Sequence, residues 1–176
     1  MRILLALFAL LSLLVPSMLE AAGDKKGEPA GAKKAKQACK RSEISGLVLE
    51  VCVPAENIIG ARIICTVTVT NKSKQRIRYD KTGPLREFVI EIKDREGTAA
   101  AYTRFGKLVF EGEDISFIRR QLAPGESHTL EYDLTRCFDL SMADGYSLSA
   151  VSRYDLVKEM QISVDSVRFS VKERVE

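Results

Sequence analysis

The chain of 176 residues contains no tryptophan and a single histidine, His128. One histidine cannot supply the paired imidazoles of an HExxH zinc site, and no GxSxG segment accompanies it for a serine triad. We therefore predict no catalytic residue, no cofactor and no metal site, and interpret His128 as a solvent-facing strand residue. The absence of tryptophan also removes the residue that antibody-type sandwiches pack against their central disulfide.

Long apolar runs are confined to the amino terminus. Arg2 precedes an apolar stretch over residues 3–15, and the small residues Ala21 and Ala22 follow. This layout predicts a secretory signal peptide over residues 1–22. Because the stretch is shorter than the roughly 20 residues that cross a bilayer, we favour cleavage over retention as an anchor. We expect a secreted or periplasmic protein with no membrane span after processing.

Residues 23–42 contain no valine, isoleucine, leucine or aromatic residue. Such a segment cannot bury enough apolar surface to offset its ordering entropy, which predicts a flexible linker. It carries seven Lys and Arg against two acidic residues and leaves residues 43–176 with a net charge of about −2. We expect either contact with anionic envelope polymers or a solvated spacer. Nucleic acid is not expected, because no aromatic residues are interleaved for base stacking.

Beyond the linker, apolar residues recur at every second position, which is typical of half-buried strands. Strands are predicted over 47–53, 61–71, 86–97, 107–114, 115–122, 127–134, 145–154 and 160–173. Together they predict an all-β fold over residues 43–176, an immunoglobulin-like antiparallel β-sandwich of seven to eight strands. In the last strand the apolar phase changes, which predicts a bulge near Asp165 and Ser166.

Two turns are predicted on either side of the segment 127–144. Pro124 and Gly125 predict a turn into the strand over 127–134. Tyr146 follows Asp-Gly at the start of the next strand, after an acidic loop. In immunoglobulin-like sandwiches a tyrosine placed here buries its ring and bonds its hydroxyl to the loop backbone. We therefore predict a tyrosine corner at Tyr146 with a structural role.

Two short patterns admit a functional interpretation and a structural one. Asp139, Ser141 and Asp144 could offer oxygen ligands to calcium, but these residue types also form turns, which we favour. Asn71 and Ser73 match a glycosylation sequon. Whether Asn71 carries a glycan depends on the host.

Four cysteines, Cys39, Cys52, Cys65 and Cys137, allow three complete pairings in an exported protein. Cys65 alternates with the inward residues of its strand, whereas Cys52 alternates with the outward ones, which disfavours a bridge between them. Cys52, Cys65 and Cys137 are all expected at one pole of the sandwich, and we predict one bridge to Cys137. Cys39 lies in the predicted linker and could pair between chains.

The charged connection over 76–87 is a candidate binding surface, because loops at the pole of a sandwich commonly contact partners. A solvated connection is the alternative. We predict partner contacts in two loops, 72–87 and 102–114. The candidate contact residues are Arg78, Asp80, Leu85, Tyr102 and Phe105.

Three segments, CTVTVTNKSKQRIRYDKTGPL, AYTRFGKLVF and QLAPGESHTLEYDLTRCFDLSMADGYSL, cover most of residues 60–150. In the order of their turns they resemble the immunoglobulin-like inhibitory prodomain of deuterolysin-type (aspzincin) metallopeptidases. Gly83, between Thr82 and Pro84, departs from the family pattern, as does Phe138 in place of a tyrosine. The family's catalytic domain has no counterpart in this chain, so the resemblance carries over no zinc ligand and no catalytic residue.

The resemblance implies a sandwich of the prodomain or inhibitor type that stands alone, and bacterial immunoglobulin-like proteinase inhibitors are a weaker match. We expect an exported, non-enzymatic binding module whose partner is a protein, with an exported peptidase as the first candidate. The alternative is a structural, envelope-associated domain that the basic linker tethers and Cys39 dimerises.

Overall fold

The alternating sequence forms β-strands through most of its length. The computed structural model describes residues 36–81, 85–112, 118–152 and 161–174, so the expected signal peptide lies outside the described residues. The strands are β1 (Gln37–Ile44), β2 (Leu47–Pro54), β3 (Glu56–Ile58), β4 (Ile64–Asn71), β5 (Ile77–Lys81), β6 (Phe88–Lys93), β7 (Ile118–Leu122), β8 (Ser127–Asp133), β9 (Asp144–Ser152) and β10 (Ser163–Lys172). The helices are α1 (Arg104–Phe110) and α2 (Leu134–Cys137).

Two four-stranded sheets form the sandwich, in the orders β1-β2-β4-β8 and β3-β10-β9-β6, and β5 pairs with β7 in a small third sheet. The described pairings are antiparallel except for that of β3 with β10. Strands equivalent to A, B and E share one sheet and those equivalent to C, F and G share the other. The predicted all-β, immunoglobulin-like sandwich is thus confirmed. Neither helix of the described residues is long and apolar enough to cross a bilayer.

The core lies between the two sheets and is filled by every second residue of their strands. Burying one large aliphatic or aromatic side chain contributes about 1.5–3 kcal/mol, so these rows supply most of the driving force. The buried rows include Leu47, Leu49, Val51 and Val53 of β2, Cys65, Val67 and Val69 of β4, Phe88, Ile90 and Ile92 of β6, and Tyr146, Leu148 and Ala150 of β9.

The predicted bulge in the last strand is confirmed. The register of β10 against β9 shifts between Val164 and Val167, and Ser166 has a φ of 57°. Both valines are buried, although an odd number of positions separates them. The extra residue lets the strand present both of its apolar phases to the same core.

The predicted linker ends earlier than residue 42. Residues 37–42 belong to β1, which pairs with β2 along its whole length, and Lys34–Glu176 group into one compact unit. Ser45 (φ 50°) and Gly46 (φ 80°) connect the two strands in a two-residue turn of the type that suits a twisted hairpin. A polar edge strand needs backbone pairing but little apolar surface, so its composition resembles that of a linker.

This hairpin also corrects the cysteine pairing. Cys39 and Cys52 are Cα partners across β1 and β2, 4.2 Å apart, and form a disulfide. Cys65 and Cys137 are buried and free, so the predicted bridge to Cys137 is wrong, and Cys39 is not available to join two chains. The turn at Ser45 places residues 39 and 52 directly opposite each other, which decides the pairing.

The strand predicted over 107–114 is also wrong, because its first residues belong to α1. Thr103 caps this helix: its hydroxyl oxygen accepts a hydrogen bond from the Gly106 amide at 3.0 Å. Gly106, Val109 and Phe110 face inward at helical spacing. A Cβ on Gly106 would overlap the carbonyl oxygen of Cys137, so only glycine allows α1 to approach α2 this closely.

Both predicted structural turns are confirmed. The Tyr146 hydroxyl donates to the Met142 carbonyl oxygen at 3.0 Å, and its ring stacks on Phe169 with centroids 5.6 Å apart. Pro124 and Gly125 form a turn in which Gly125 has a φ of 79°. The loop before β9 is therefore fixed to the core as the tyrosine-corner interpretation required.

We expect alkylation of the denatured, unreduced protein to label two cysteines, Cys65 and Cys137, and reduction to expose two more. Peptide mapping should recover Cys39 joined to Cys52. Replacing both bridged cysteines with serine should lower the free energy of unfolding by about 3 kcal/mol, because the closed loop no longer restricts the unfolded chain. Recovery of a bridge that includes Cys65 or Cys137 would contradict the pairing.

The tyrosine corner separates into a hydroxyl contribution and a ring contribution. Tyr146→Phe should lower the free energy of unfolding by about 1 kcal/mol, because the Met142 carbonyl loses its donor. Tyr146→Ala should cost about 3–5 kcal/mol, because it also removes the buried ring. Urea denaturation measures both changes. If Tyr146→Phe left the free energy of unfolding unchanged, the hydroxyl bond would not stabilise the loop.

Candidate functional site

An open groove of about 440 Å³ lies at the pole of the sandwich where β8 ends and α2 begins. Its walls come from the connection after β3, from the segment before α1 and from α2 with the loop that follows. We call it the pole groove; its lining residues are 59–60, 101–103, 135 and 138–141.

Aromatic rings fix the floor of the pole groove. Tyr102 forms a β-bridge with Phe138, and their ring centroids lie 5.2 Å apart. Phe110 packs 5.4 Å from Tyr102 and 5.6 Å from Phe138, and stacks on Tyr132 of β8 at 6.3 Å. These offset and tilted pairs contribute beyond their buried area, so the floor is held rigidly to the sandwich.

Backbone contacts lock α1 to α2 beside the floor. The Thr103 amide donates to the Cys137 carbonyl oxygen at 3.0 Å, and the Thr103 hydroxyl donates to the Arg136 carbonyl oxygen. The Arg136 guanidinium carbon lies 4.3 Å from the centroid of the Phe105 ring, within the range of a cation–π contact. The wall before α1 and the wall formed by α2 are therefore held together by direct contacts.

Asp133 caps α2 and holds a neighbouring loop. Its carboxylate accepts hydrogen bonds from the Thr135 hydroxyl at 2.6 Å, the Arg62 guanidinium at 2.8 Å and the Arg136 amide at 3.3 Å. Burial by itself raises the pKa of Asp133, but these hydrogen bonds outweigh it and hold the pKa below its usual value. The carboxylate therefore stabilises α2 in its ionised form.

The acidic loop after α2 is organised by its own backbone. Asp139 Oδ1 accepts from the Ser141 amide at 3.1 Å, and hydrogen bonds from Ser141 lower the pKa of Asp139. Asp144 instead pairs with the Arg95 guanidinium at 3.1 Å and accepts from the Gly145 amide. Within the described parts of the chain, no three His, Cys, Asp or Glu side chains group closely enough to hold a metal ion.

Three large apolar side chains stand exposed among the residues that the structure describes: Ile58 (48%), Leu108 (62%) and Met142 (73%). Ile58 and Met142 adjoin lining residues of the pole groove along the chain, whereas Leu108 lies on the outer face of α1, outside the lining. Sequence reasoning missed all three. Methionine within an otherwise polar, acidic loop was the signal that could have indicated Met142.

The candidate contact residues are divided between the two ends of the sandwich. Tyr102 lines the pole groove and Phe105 lies beside it under Arg136, both half-buried. Arg78 is exposed on β5, which lies toward the opposite end of β4, and Leu85 is half-buried against the core with a φ of 66°. Asp80 also belongs to β5, but its side chain lies outside the described residues.

The two predicted contact loops nevertheless touch each other. The Arg86 guanidinium donates to the Leu108 carbonyl oxygen at 2.9 Å. This bond joins the segment before β6 to the end of α1. The loops therefore meet along the side of the sandwich rather than at one shared pole.

Asn71 has a structural role in the loop after β4. It is fully buried, and its side-chain nitrogen donates to the carbonyl oxygens of Gln75 at 2.8 Å and Leu122 at 2.9 Å. Its side-chain oxygen accepts from the Ser73 amide at 2.9 Å and from the Ser73 hydroxyl at 2.7 Å. In the folded protein the nitrogen of this sequon is therefore inaccessible to glycan transfer.

The interpretation of His128 as solvent-facing is wrong. His128 shares its parity with Leu130 and Tyr132 and is half-buried, with Nε2 lying 3.3 Å from a carboxylate oxygen of the buried Glu87. The imidazole therefore faces a buried carboxylate at the β8 end remote from the pole groove.

Burial, together with the charge of Glu87, raises the pKa of Tyr132 above its usual value.

Neither free cysteine is activated as a nucleophile. Burial raises the pKa of Cys65 to about 12. Burial, with the nearby charge of Asp133, raises the pKa of Cys137 to about 11. Both remain thiols at neutral pH, whereas nucleophilic cysteines require a lowered pKa.

No protein-family model and no curated protein matches the chain. Among solved structures it is similar to a β-glucosidase from Listeria innocua in complex with gluconolactone, with 14% identity, a TM-score of 0.35 and 81% of this chain covered. The same enzyme in complex with isofagomine gives 14% identity and a TM-score of 0.36. The chain spans 17% of the length of either structure, and similarity this low carries no argument about function.

The lowered pKa of Asp133 predicts a pH dependence of stability. Its contribution should be complete above the ordinary carboxyl value of about 4 and be lost as the pH falls through the lowered folded value. Asp133→Asn should therefore cost about 1 kcal/mol at neutral pH, with the difference shrinking in acid. Urea denaturation across pH measures this. Glu131→Gln, on the exposed face of β8, controls for the lost charge, and a pH-independent difference would contradict the role of ionised Asp133.

Proposed function

We propose that the chain is an exported, non-enzymatic binding module that contacts a protein partner through the pole groove. The observation that carries the proposal is the pair of exposed apolar side chains, Ile58 and Met142, next to a groove whose aromatic floor is rigid. Exposed apolar side chains beside a preformed concave surface are typical of protein contact sites.

The chemistry of the lining supports a protein partner. The half-buried Ile59 and Tyr102 supply apolar surface, while Thr103, Thr135 and Ser141 supply polar side chains beside it. An apolar centre with hydrogen-bonding groups at its margin is the usual composition of a protein–protein interface. Because both walls are tied to the sandwich, a partner would meet a surface that requires little ordering on binding.

Three features of the described residues support a role without catalysis. Cys65 and Cys137 stay protonated through burial, and His128 lies against Glu87 at the far end of β8. The pole groove itself offers hydroxyls and one carboxylate, Asp139, which is engaged by Ser141. A nucleophile with an adjacent base, which covalent catalysis requires, is not assembled there.

The first candidate partner is an exported zinc peptidase. Support comes from the resemblance of most of residues 60–150 to the prodomain of deuterolysin-type peptidases. The resembling segments include the lining residues 101–103 and 135, together with the acidic loop that bears Met142. A prodomain-like module would bind the peptidase through this pole and slow its cleavage of substrate.

The test is titration of the processed chain against exported zinc peptidases from the same source, with the rate of substrate cleavage as the readout. We expect the rate to fall at about micromolar protein. Ile58→Glu and Met142→Glu should each weaken the inhibition about tenfold or more, because each places a charge in a desolvated contact. Both positions are exposed, so thermal unfolding should change little.

Leu108→Glu is the matched control, because it adds the same charge at an exposed apolar position outside the pole groove. Its inhibition should equal that of the unaltered protein. A loss with Leu108→Glu as large as with Met142→Glu would move the contact to α1 and contradict the pole groove. Cleavage rates that stay unchanged at micromolar protein would discard the peptidase partner.

A further inference from the structure

A second concave surface lies between β1 and β10. An open groove of about 560 Å³ is lined by Lys36, Ala55, Glu56, Arg168, Phe169 and Ser170. A neighbouring groove of about 480 Å³ shares Arg168 and is lined in addition by residues 38–40 and 166–167. We call the two together the basic groove, after the exposed cations Lys36, Lys40 and Arg168.

The positive charge of the basic groove exceeds the negative charge of its walls, although Lys36 also interacts electrostatically with Glu56. Glu56 is the acidic lining residue, and its carboxylate is bound to the Lys172 ammonium at 2.9 Å, which lowers the pKa of Glu56. The Arg168 guanidinium is exposed and makes no hydrogen bond or ion pair with any residue that the structure describes. Three cations in a concave surface produce a positive potential that attracts anions.

The fold brings these cations together from distant parts of the sequence. Pairing of β1 with β2 places Lys36 and Lys40 at the edge of the sandwich, and the Cys39–Cys52 disulfide holds this edge strand in place. Arg168 comes from β10, two residues after Ser166 in the bulge. Bulges re-aim the side chains that follow them, and here the neighbouring side chain is a cation at the groove.

We propose that the basic groove binds an acidic polysaccharide, whose carboxylates contact Lys36, Lys40 and Arg168. Beside these cations the groove wall comes from the neutral residues Ala55, Phe169 and Ser170, and from Glu56, which is paired with Lys172. Separated cations with neutral wall between them match a chain in which neutral ring atoms separate the charges. Polyphosphate, whose charges follow one another without an intervening sugar ring, would place anions against this neutral wall.

The sequence before the groove carries further positive charge. Lys36 lines the groove and is the first residue that the structure describes. Four further lysines precede it at positions 25, 26, 33 and 34. Composition alone assigned the contact with anionic polymers to the linker. The basic groove adds a folded surface with defined walls to that contact. This surface is distinct from the pole groove and does not depend on the protein partner.

The experiment measures binding of the processed chain to polygalacturonate by titration calorimetry at low ionic strength. The triple variant Lys36→Ala/Lys40→Ala/Arg168→Ala should bind about tenfold more weakly. The matched control, Lys72→Ala/Lys74→Ala/Arg76→Ala, removes the same net charge from exposed positions in the loop after β4 and keeps the linker. It should bind within about twofold of the unaltered protein.

Four results would overturn the proposal. Equal losses in the two triple variants would mean that net charge or the linker accounts for the binding. Unchanged affinity of the Lys36→Ala/Lys40→Ala/Arg168→Ala variant would also mean that the groove does not account for the binding. Undetectable binding of polygalacturonate by the unaltered protein would exclude the ligand class. Tighter binding of polyphosphate or of phosphatidylglycerol vesicles, lost in the groove variant, would assign the groove to phosphate.

Discussion

Burial of alternate side chains between two four-stranded sheets is the constraint on which the remaining structure depends. Each strand of β2, β4, β6 and β9 gives one row of side chains to the shared core, so its other row and the connections remain for other roles. A sandwich built this way has open edges, which natural proteins must cover or make polar. Here α1 packs Val109 and Phe110 into the core, and the β1 edge carries Lys40 and Arg41.

The ends of the sheets are fixed by single polar side chains that each satisfy several backbone groups. Asn71 binds two carbonyl oxygens and one amide after β4, Asp133 begins α2, and Thr103 joins α1 to α2. Tyr146 fixes the loop between α2 and β9. Because buried backbone groups must be paired, such residues determine the path of the connections as firmly as the core determines the strands. The pole groove owes its rigidity to Asp133, Thr103 and Tyr146.

Sequence patterns predicted the features that strand alternation and turn chemistry specify: β2, β4, β8, β9, the bulge of β10 and the role of Tyr146. They failed where the structure of a segment depends on contacts with another segment of the fold. β1 is polar and becomes a strand only by pairing with β2, and the seven-residue α1 shows an alternation of Leu108 and Phe110 that resembles a strand. Tyr102 and Phe105 were predicted as contact residues. Met142 was missed, although an apolar residue within a polar, acidic loop was a signal that the sequence offered.

The error at β1 changes how the charge of the molecule is understood. Composition placed the positive charge in a linker and left residues 43–176 slightly acidic, which predicts attraction of anions by the linker alone. Pairing of Gln37–Ile44 transfers Lys40 and Arg41 into the folded unit, and Lys36 reaches the same edge as Arg168. A cation on a disordered segment loses conformational freedom on binding, whereas one on a paired strand has already lost part of it. The same number of lysines can therefore bind with greater selectivity when a disulfide-linked hairpin presents them.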